Sequence, residues 1–401
     1  MMPTPTIVAM QERPYGAVPA ERQTTTVGVL YVTDRAPAPK PGRPVWYGHR
    51  RAAQMVFGVG FVRLGVNLSW DQLAAATSTS DRRSPIPLQV IAAEELGSLP
   101  SPLPTTEAAR AAHRLSPAEL AEQERELSVF YEALAARLDA TAKKDVYVYV
   151  HGFKRWFEDG LYTMAEMWHY AGREGVPIVY SWPAGAPGLL RAYNRDRESG
   201  EFTVHHLKSF LIALSRAPGV ERIHLIAHSR GADVLISALR ELNMAYVAAG
   251  LSTRAELKLE NVMLAAPDMD SEVAQQNLVA EGLFEVAERF TIYVSGTDTP
   301  LEVADWLFDG KRRVGRLRYA DVAPEADGSP SAMHGACIID VTLDTPGLGH
   351  EYFYDQPQVA SDVLLMLAQG RSPGAEHGRP LTPKAPGWWE LDRNYLLEPT
   401  K

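Results

Sequence analysis

Two hydrophobic periods alternate along this chain. Short apolar or β-branched runs predict strands at 24–32 (TTTVGVLYV), 55–68, 146–150 (VYVYV), 176–181, 223–226, 258–265, 290–295 and 336–343. Between them apolar residues recur at helical spacing. The clearest helix starts at a capping box, with Ser116 at the N-cap, Pro117 next and Glu119 reaching back. Leu120, Leu127, Tyr131, Leu134 and Leu138 carry its stripe. Further helices are predicted at 161–172, 201–216, 231–249, 271–282, after Pro300, and at 358–369. From 146 onward strand and helix alternate. That order predicts an α/β fold with a doubly wound, mostly parallel sheet and helices on both faces. Reactive groups should then gather at the carboxyl ends of the strands.

The pattern also divides the chain. Residues 1–22 are Pro-rich and aperiodic and predict a loose N-terminal arm. Residues 23–370 read as a single domain. Within it, 69–115 reads as a mostly irregular excursion with a short strand at 88–92, and the Pro- and Gly-rich stretch 183–200 is a candidate lid. Residues 371–401 form a tail whose aromatics, in APGWWELDRNYLL, are expected to dock on the body.

Composition narrows the partners. An apolar content of 46% supports a real core. A net charge of −9 disfavours nucleic acid and anionic membranes. No apolar stretch is long enough to span a bilayer. The first residues show no basic segment followed by an apolar one, which makes the default location cytoplasmic, with a periplasmic or secreted one open if a signal has been removed. The single cysteine, Cys337, excludes an internal disulfide and reads as a buried strand residue.

The chemistry centres on VERIHLIAHSRG, residues 220–231. An apolar strand runs into Ser229, flanked by the small residues Ala227 and Gly231, and a helical stripe follows. Strand, tight turn, serine and helix make a nucleophile elbow, with Ala227 at the first Gly position of G-x-S-x-G. A serine that merely caps a helix is the plainer alternative. Such a nucleophile needs a base, a group to orient it and oxyanion donors. In chain order an acid and then a histidine should follow, each after a later strand. Asp298, after FTIYVSG, is the preferred acid, and Asp268, after NVMLAAPD, is the other candidate. His350, in GLGHEYF beyond the last strand of the series, is the candidate base. His334 precedes that strand, and the side chain of His228 should diverge from Ser229 on a tight elbow. VYVYVHGF supplies an oxyanion loop, with the backbone N–H groups of Phe153 and Arg230 as donors. Trp156, Phe157, Trp182, Leu189, Leu190 and Tyr193 are candidates for an apolar substrate pocket. No metal-ligand motif and no Gly-rich phosphate loop is present, so neither metal nor cofactor is expected.

In combination, VYVYVHGF, VPIVYSWPAG, YNRDRES, HLIAHSRG, NVMLAAPDMD, YVSGTD and GHEYF resemble the α/β-hydrolase superfamily, and within it a bacterial family of α/β hydrolases of unknown function. The resemblance spans about residues 24–370. It implies the α/β-hydrolase fold, ester hydrolysis and a Ser, Asp, His triad, roles that fall on Ser229, Asp298 and His350. This chain departs from the family at Phe153-Lys154-Arg155, where Tyr-Asn-Asn is usual, and at Arg230, where Met is usual. The reading is a serine carboxylesterase acting on small-molecule esters with short to medium acyl or aryl groups. An amidase, thioesterase or acyltransferase would use the same three residues. A non-catalytic module binding through 69–115 or the Trp388-Trp389 tail would have no need to keep them.

Overall fold

The computed structural model describes every residue except 83, 113–114, 189, 308–311, 320–335, 344–348 and 397–401. Among the described residues the strands are β1 Thr26–Pro37, β2 Tyr47–Leu64, β3 Leu88–Leu99, β4 Asp145–Val150, β5 Val176–Ser181, β6 Arg222–His228, β7 Leu259–Ala265, β8 Arg289–Val294, β9 Cys337–Val341, β10 Thr382–Ala385 and β11 Trp388–Leu391. They form one 11-stranded sheet in the order β10-β11-β9-β8-β7-β6-β4-β5-β1-β2-β3. The run from β11 to β1 is parallel, and the antiparallel pairs lie at the two edges.

The apolar strand pattern is explained by burial on both faces. In β4, Val146, Val148 and Val150 pack with Phe130, Leu134 and Leu138 of the helix Pro117–Asp139. Tyr147 and Tyr149 turn to the other face, where Leu161 and Met164 of the helix Phe157–Tyr170 cover them. Helices Leu190–Arg216 and Arg230–Ala248 share the first face, and Pro357–Leu367 shares the second. The Ser116–Glu119 capping box forms as the pattern predicts.

Three expectations need correction. Residues 1–22 are docked: Met2, Val8, Tyr15 and Val18 are buried against Tyr170, Ala360 and Leu364. Arg173 ties down the far end, donating to the carbonyls of Arg22 at 2.6 Å and Thr24 at 2.8 Å. Scattered single anchors leave no period in the sequence. The stretch 69–115 is not mainly irregular, because it contains the helix Trp70–Ala76 and the whole of β3. β3 is an edge strand with little of itself buried, so its apolar signal is faint. The candidate lid 183–200 is largely helical from Leu190 on, since the helix ending at Arg216 begins there rather than at 201. The tail docks as expected, and it also joins the sheet. β11 extends the sheet in parallel alongside β9, and Trp388 is buried in the core.

Candidate active site

β6 ends at His228 and the next helix begins at Arg230, so Ser229 makes the turn alone. Its φ of 54° and ψ of −124° are a conformation that costs a side chain dearly. The Ser229 N–H donates to the Ala265 carbonyl at 2.9 Å, and its carbonyl accepts from Asp268 N–H at 3.2 Å. Glycines make the turn fit. A Cβ on Gly231 would fall 2.4 Å from the His151 carbonyl oxygen and 2.5 Å from that of Val150. One on Gly152 would fall 2.9 Å from Ser229 Cβ. Bare backbone at both positions lets the helix start and the loop after β4 close around the serine. Among the described residues, the N–H groups of Phe153 and Arg230 donate to no acceptor.

Asp298 follows β8 and His350 follows β9. His350 Nδ1 lies 2.6 Å from Asp298 Oδ2. The other oxygen of Asp298 accepts from the Leu301 N–H at 3.0 Å, so the same carboxylate caps the helix Thr299–Leu307. Asp298 is fully buried, and burial pushes its carboxyl up while the bond to His350 pulls it back. Asp268 faces elsewhere. It accepts from Tyr193 Oη at 3.0 Å and pairs with Arg313 at 3.4 Å. The structure thus brings His350 to Asp298 and not to Asp268. Ser229 Oγ makes no hydrogen bond among the described residues.

A family model described as "Alpha/beta hydrolase of unknown function (DUF900)" matches residues 128–368. The chain belongs to this family. It therefore has the α/β-hydrolase fold, with the mostly parallel sheet described above. Six solved chains match it. One is the crystal structure of a predicted CIB-like hydrolase from Thermoplasma acidophilum, at 13% identity and a TM-score of 0.33, covering 57% of this chain and 88% of that one. No curated protein matches.

In this α/β hydrolase the pocket candidates separate. Trp182 and Phe157 are core residues, a correction to the expected lining. Trp182 is fully buried, its indole donates to the His151 carbonyl at 2.7 Å, and its ring stacks on His151. Phe157 opens its helix facing inward, against Trp46, Tyr31 and Tyr47. Leu189 lies outside the described residues, as does the side chain of Leu190. Trp156 is 45% exposed. Tyr193 is half-buried, with its ring 5.4 Å from that of Phe153 and 5.9 Å from the Arg230 guanidinium. Asp268, below Tyr193, adds to the burial that pushes its phenol up to about 12.

Several residues to which the sequence alone assigns no role belong to the site's frame. Asp196 accepts from the N–H groups of Lys154 and Gly185, both at 3.1 Å, and pins the 183–186 segment to the loop after β4. His228 and Arg155 brace the His350 loop, through the His350 carbonyl and the Glu351 carboxylate. Arg35, at the end of β1, lies under the loop after β4. Its signal is a polar pair, Asp34-Arg35, closing a β-branched run. Among the described residues no group of His, Cys, Asp and Glu is arranged to hold a metal ion, and no helix is long and apolar enough to cross a membrane.

Proposed function

We propose that this α/β hydrolase is a serine carboxylesterase that works through an acyl-enzyme. The observation that carries the reading is the 2.6 Å contact between His350 and Asp298, on loops that follow the strands after the Ser229 elbow. The strained backbone of Ser229 and the two N–H groups without acceptors support it. In this mechanism Ser229 Oγ attacks the acyl carbon as His350 Nε2 takes its proton. Asp298 holds the Nδ1–H and steadies the imidazolium that forms. The tetrahedral oxyanion accepts from Phe153 and Arg230 N–H, each contributing about 3 kcal/mol in the transition state. Collapse expels the alcohol, which leaves with the proton from His350. Water then attacks the acyl-enzyme and gives a proton to His350; collapse breaks the bond to Ser229 Oγ, which takes that proton back from His350 as the carboxylic acid departs. The serine–histidine hydrogen bond forms in the substrate complex, as such contacts often do. Phe153, Trp156 and Tyr193 offer ring surfaces suited to short or medium acyl or aryl groups.

A series of p-nitrophenyl esters of increasing chain length tests this, alongside a fluorophosphonate probe. We expect hydrolysis that declines for long chains, and labelling that disappears in Ser229→Ala. Labelling retained in that variant overturns the assignment.

A further inference from the structure

Arg35 is 1% exposed, and among the described residues no carboxylate touches it. Buried guanidinium groups ordinarily sit against an acid. Here every partner is neutral. Nε donates to Ser181 Oγ at 2.8 Å, and Nη1 to the carbonyls of Gly48 at 3.0 Å and Ala184 at 2.8 Å. Nη2 reaches the Arg155 carbonyl at 2.8 Å and His151 Nε2 at 3.1 Å. Burial pulls the guanidinium down to about 10, and the surrounding acids, Asp34 foremost, oppose this only through space.

The last contact has a consequence for the loop around Ser229. A guanidinium has donors and no acceptor, so His151 Nε2 must present its lone pair. The one proton of the neutral ring then sits on Nδ1, which lies 3.0 Å from the Gly152 carbonyl oxygen and donates to it. Burial, with Arg35 beside it, holds His151 well below its usual value, which keeps the ring neutral. Across a trans peptide, C=O and N–H point in opposite directions. Drawing the Gly152 carbonyl toward the imidazole therefore aims the Phe153 N–H away from it. That N–H has no acceptor among the described residues, and Gly152 lies directly against Ser229.

We infer that Arg35 is a positioning residue for the oxyanion donor: it fixes the tautomer of His151, and through it the orientation of the Gly152–Phe153 peptide. The inference rests on the serine-hydrolase reading, because only there does the Phe153 N–H have a task. Arg35 also holds the Arg155 and Ala184 carbonyls, so one side chain sets the loop after β4 and the segment after β5 in a single frame.

The test pairs kinetics with spectroscopy. His151→Asn keeps a donor where Nδ1–H stands and His151→Phe removes it. Arg35→Lys keeps the charge and loses the fork. With a p-nitrophenyl ester, His151→Phe and Arg35→Lys should each lose about 100-fold in kcat with KM little changed, and His151→Asn should stay within about ten-fold of the parent. Affinity for a trifluoromethyl ketone, which mimics the oxyanion, should fall with kcat. Equal kcat in the parent, His151→Phe and Arg35→Lys overturns the inference and leaves the hydrolase reading standing. Failure of the parent to turn over esters or bind the ketone overturns that reading and, with it, the role of Phe153 as oxyanion donor. The tautomer is decided separately by 15N spectra of imidazole-labelled protein, with His151→Asn providing the assignment. A proton on Nδ1 in the parent, lost or redistributed in Arg35→Lys, is expected. A proton on Nε2 in the parent overturns the inference whatever the activity, and this measurement stands even if Arg35→Lys folds poorly.

Discussion

His228 Nε2 donates to the main-chain oxygen of His350 at 3.0 Å, so the residue before Ser229 holds the backbone of the histidine that meets Asp298. The two rings lie 4.8 Å apart, and Phe353 closes the other side at 5.0 Å. A carbonyl only accepts, so His228 must carry its proton on Nε2. His228→Gln places an amide N–H near the same point, whereas His228→Phe keeps the ring packing and loses the donor. We expect His228→Phe to lower kcat/KM by about 10–100-fold through a displaced imidazole, and His228→Gln to recover most of it. Steady-state kinetics on the two variants checks this. Equal losses in both would show that His228 acts through packing alone.

Asp298 and Asp268 make a second comparison. Asp298→Asn leaves His350 with an amide where it had a carboxylate and should cost about 10⁴-fold in kcat. Asp268→Asn disturbs Tyr193 and Arg313 instead and should cost far less. Turnover by the two purified variants decides it, and comparable small losses would remove Asp298 from the role proposed for it.

The approach of His350 to Asp298 is legible in the sequence because its determinants are local. Each residue lies just past a recognisable strand, and strand order sets the rest. Ser229 is legible for the same reason, since Gly231 and the apolar runs around it leave few other conformations. Arg35 is not. Its meaning comes from His151, 116 residues away, and from carbonyls that no pattern marks. Trp182 and Phe157 mislead in the opposite way. Both border loops in the sequence, yet the first caps the end of β5 and the second starts a helix facing inward, so both are swallowed by the core. Residues 1–22 escape because Val8, Tyr15 and Val18 anchor one at a time, with no period to detect.

The backbone of Ser229 predicts a trade between stability and activity. Its φ of 54° with ψ of −124° is a region that glycine enters freely and other residues enter at about 1–3 kcal/mol. Ser229→Gly relieves that strain and removes the hydroxyl. We expect a variant without esterase activity whose unfolding free energy is raised by about 1 kcal/mol or more. Denaturant unfolding of parent, Ser229→Ala and Ser229→Gly measures it, with Ala as the reference for loss of the hydroxyl alone. A glycine variant no more stable than the alanine one would mean that the turn is not strained.

The tail is clamped by one buried network. Arg379 bonds both oxygens of Asp362, at 2.8 and 2.7 Å, and Tyr293 and Tyr395 each donate to the same carboxylate at 2.6 Å. Arg379 is 1% exposed and Asp362 is fully buried. Removing the cation leaves a buried anion without its partner, and Arg379→Met should destabilise the protein by about 3–5 kcal/mol. Replacing both, as Asp362→Asn with Arg379→Met, should cost less than the single change, because the orphaned charge is gone. Thermal unfolding of the single and double variants tests this, and a double variant worse than the single one would refute it.

Three buried histidines predict acid sensitivity. His151, His169 and His228 are enclosed, and burial holds each imidazole well below its usual value, helped by Arg35, Arg173 and His350 respectively. Arg173 donates to His169 Nδ1 at 2.9–3.1 Å and Thr77 lies 3.0 Å from its Nε2, so this ring, like His151, is fixed neutral by an arginine that cannot accept. Unfolded, all three take up a proton near pH ~6.5. Folded-state values below the unfolded one mean that the stabilisation is complete above about pH 6.5 and is lost as pH falls beneath it, since the unfolded chain then binds more protons. Each ring contributes about 1.4 kcal/mol per pH unit, so about 3–4 kcal/mol should be lost between pH ~6.5 and ~5.5. Asp196, Asp298 and Glu166 act in the opposite sense, because burial raises them and the folded protein takes up their protons earlier. Their effect grows toward the acid end, so the histidine slope is steepest just below neutrality. Urea unfolding at about pH 7.5, 6.5 and 5.5 reads the slope, and His169→Gln should reduce it by about one third. Equal stability at the two lower values would mean that these imidazoles protonate within the folded protein and that the arginine contacts do not hold them neutral.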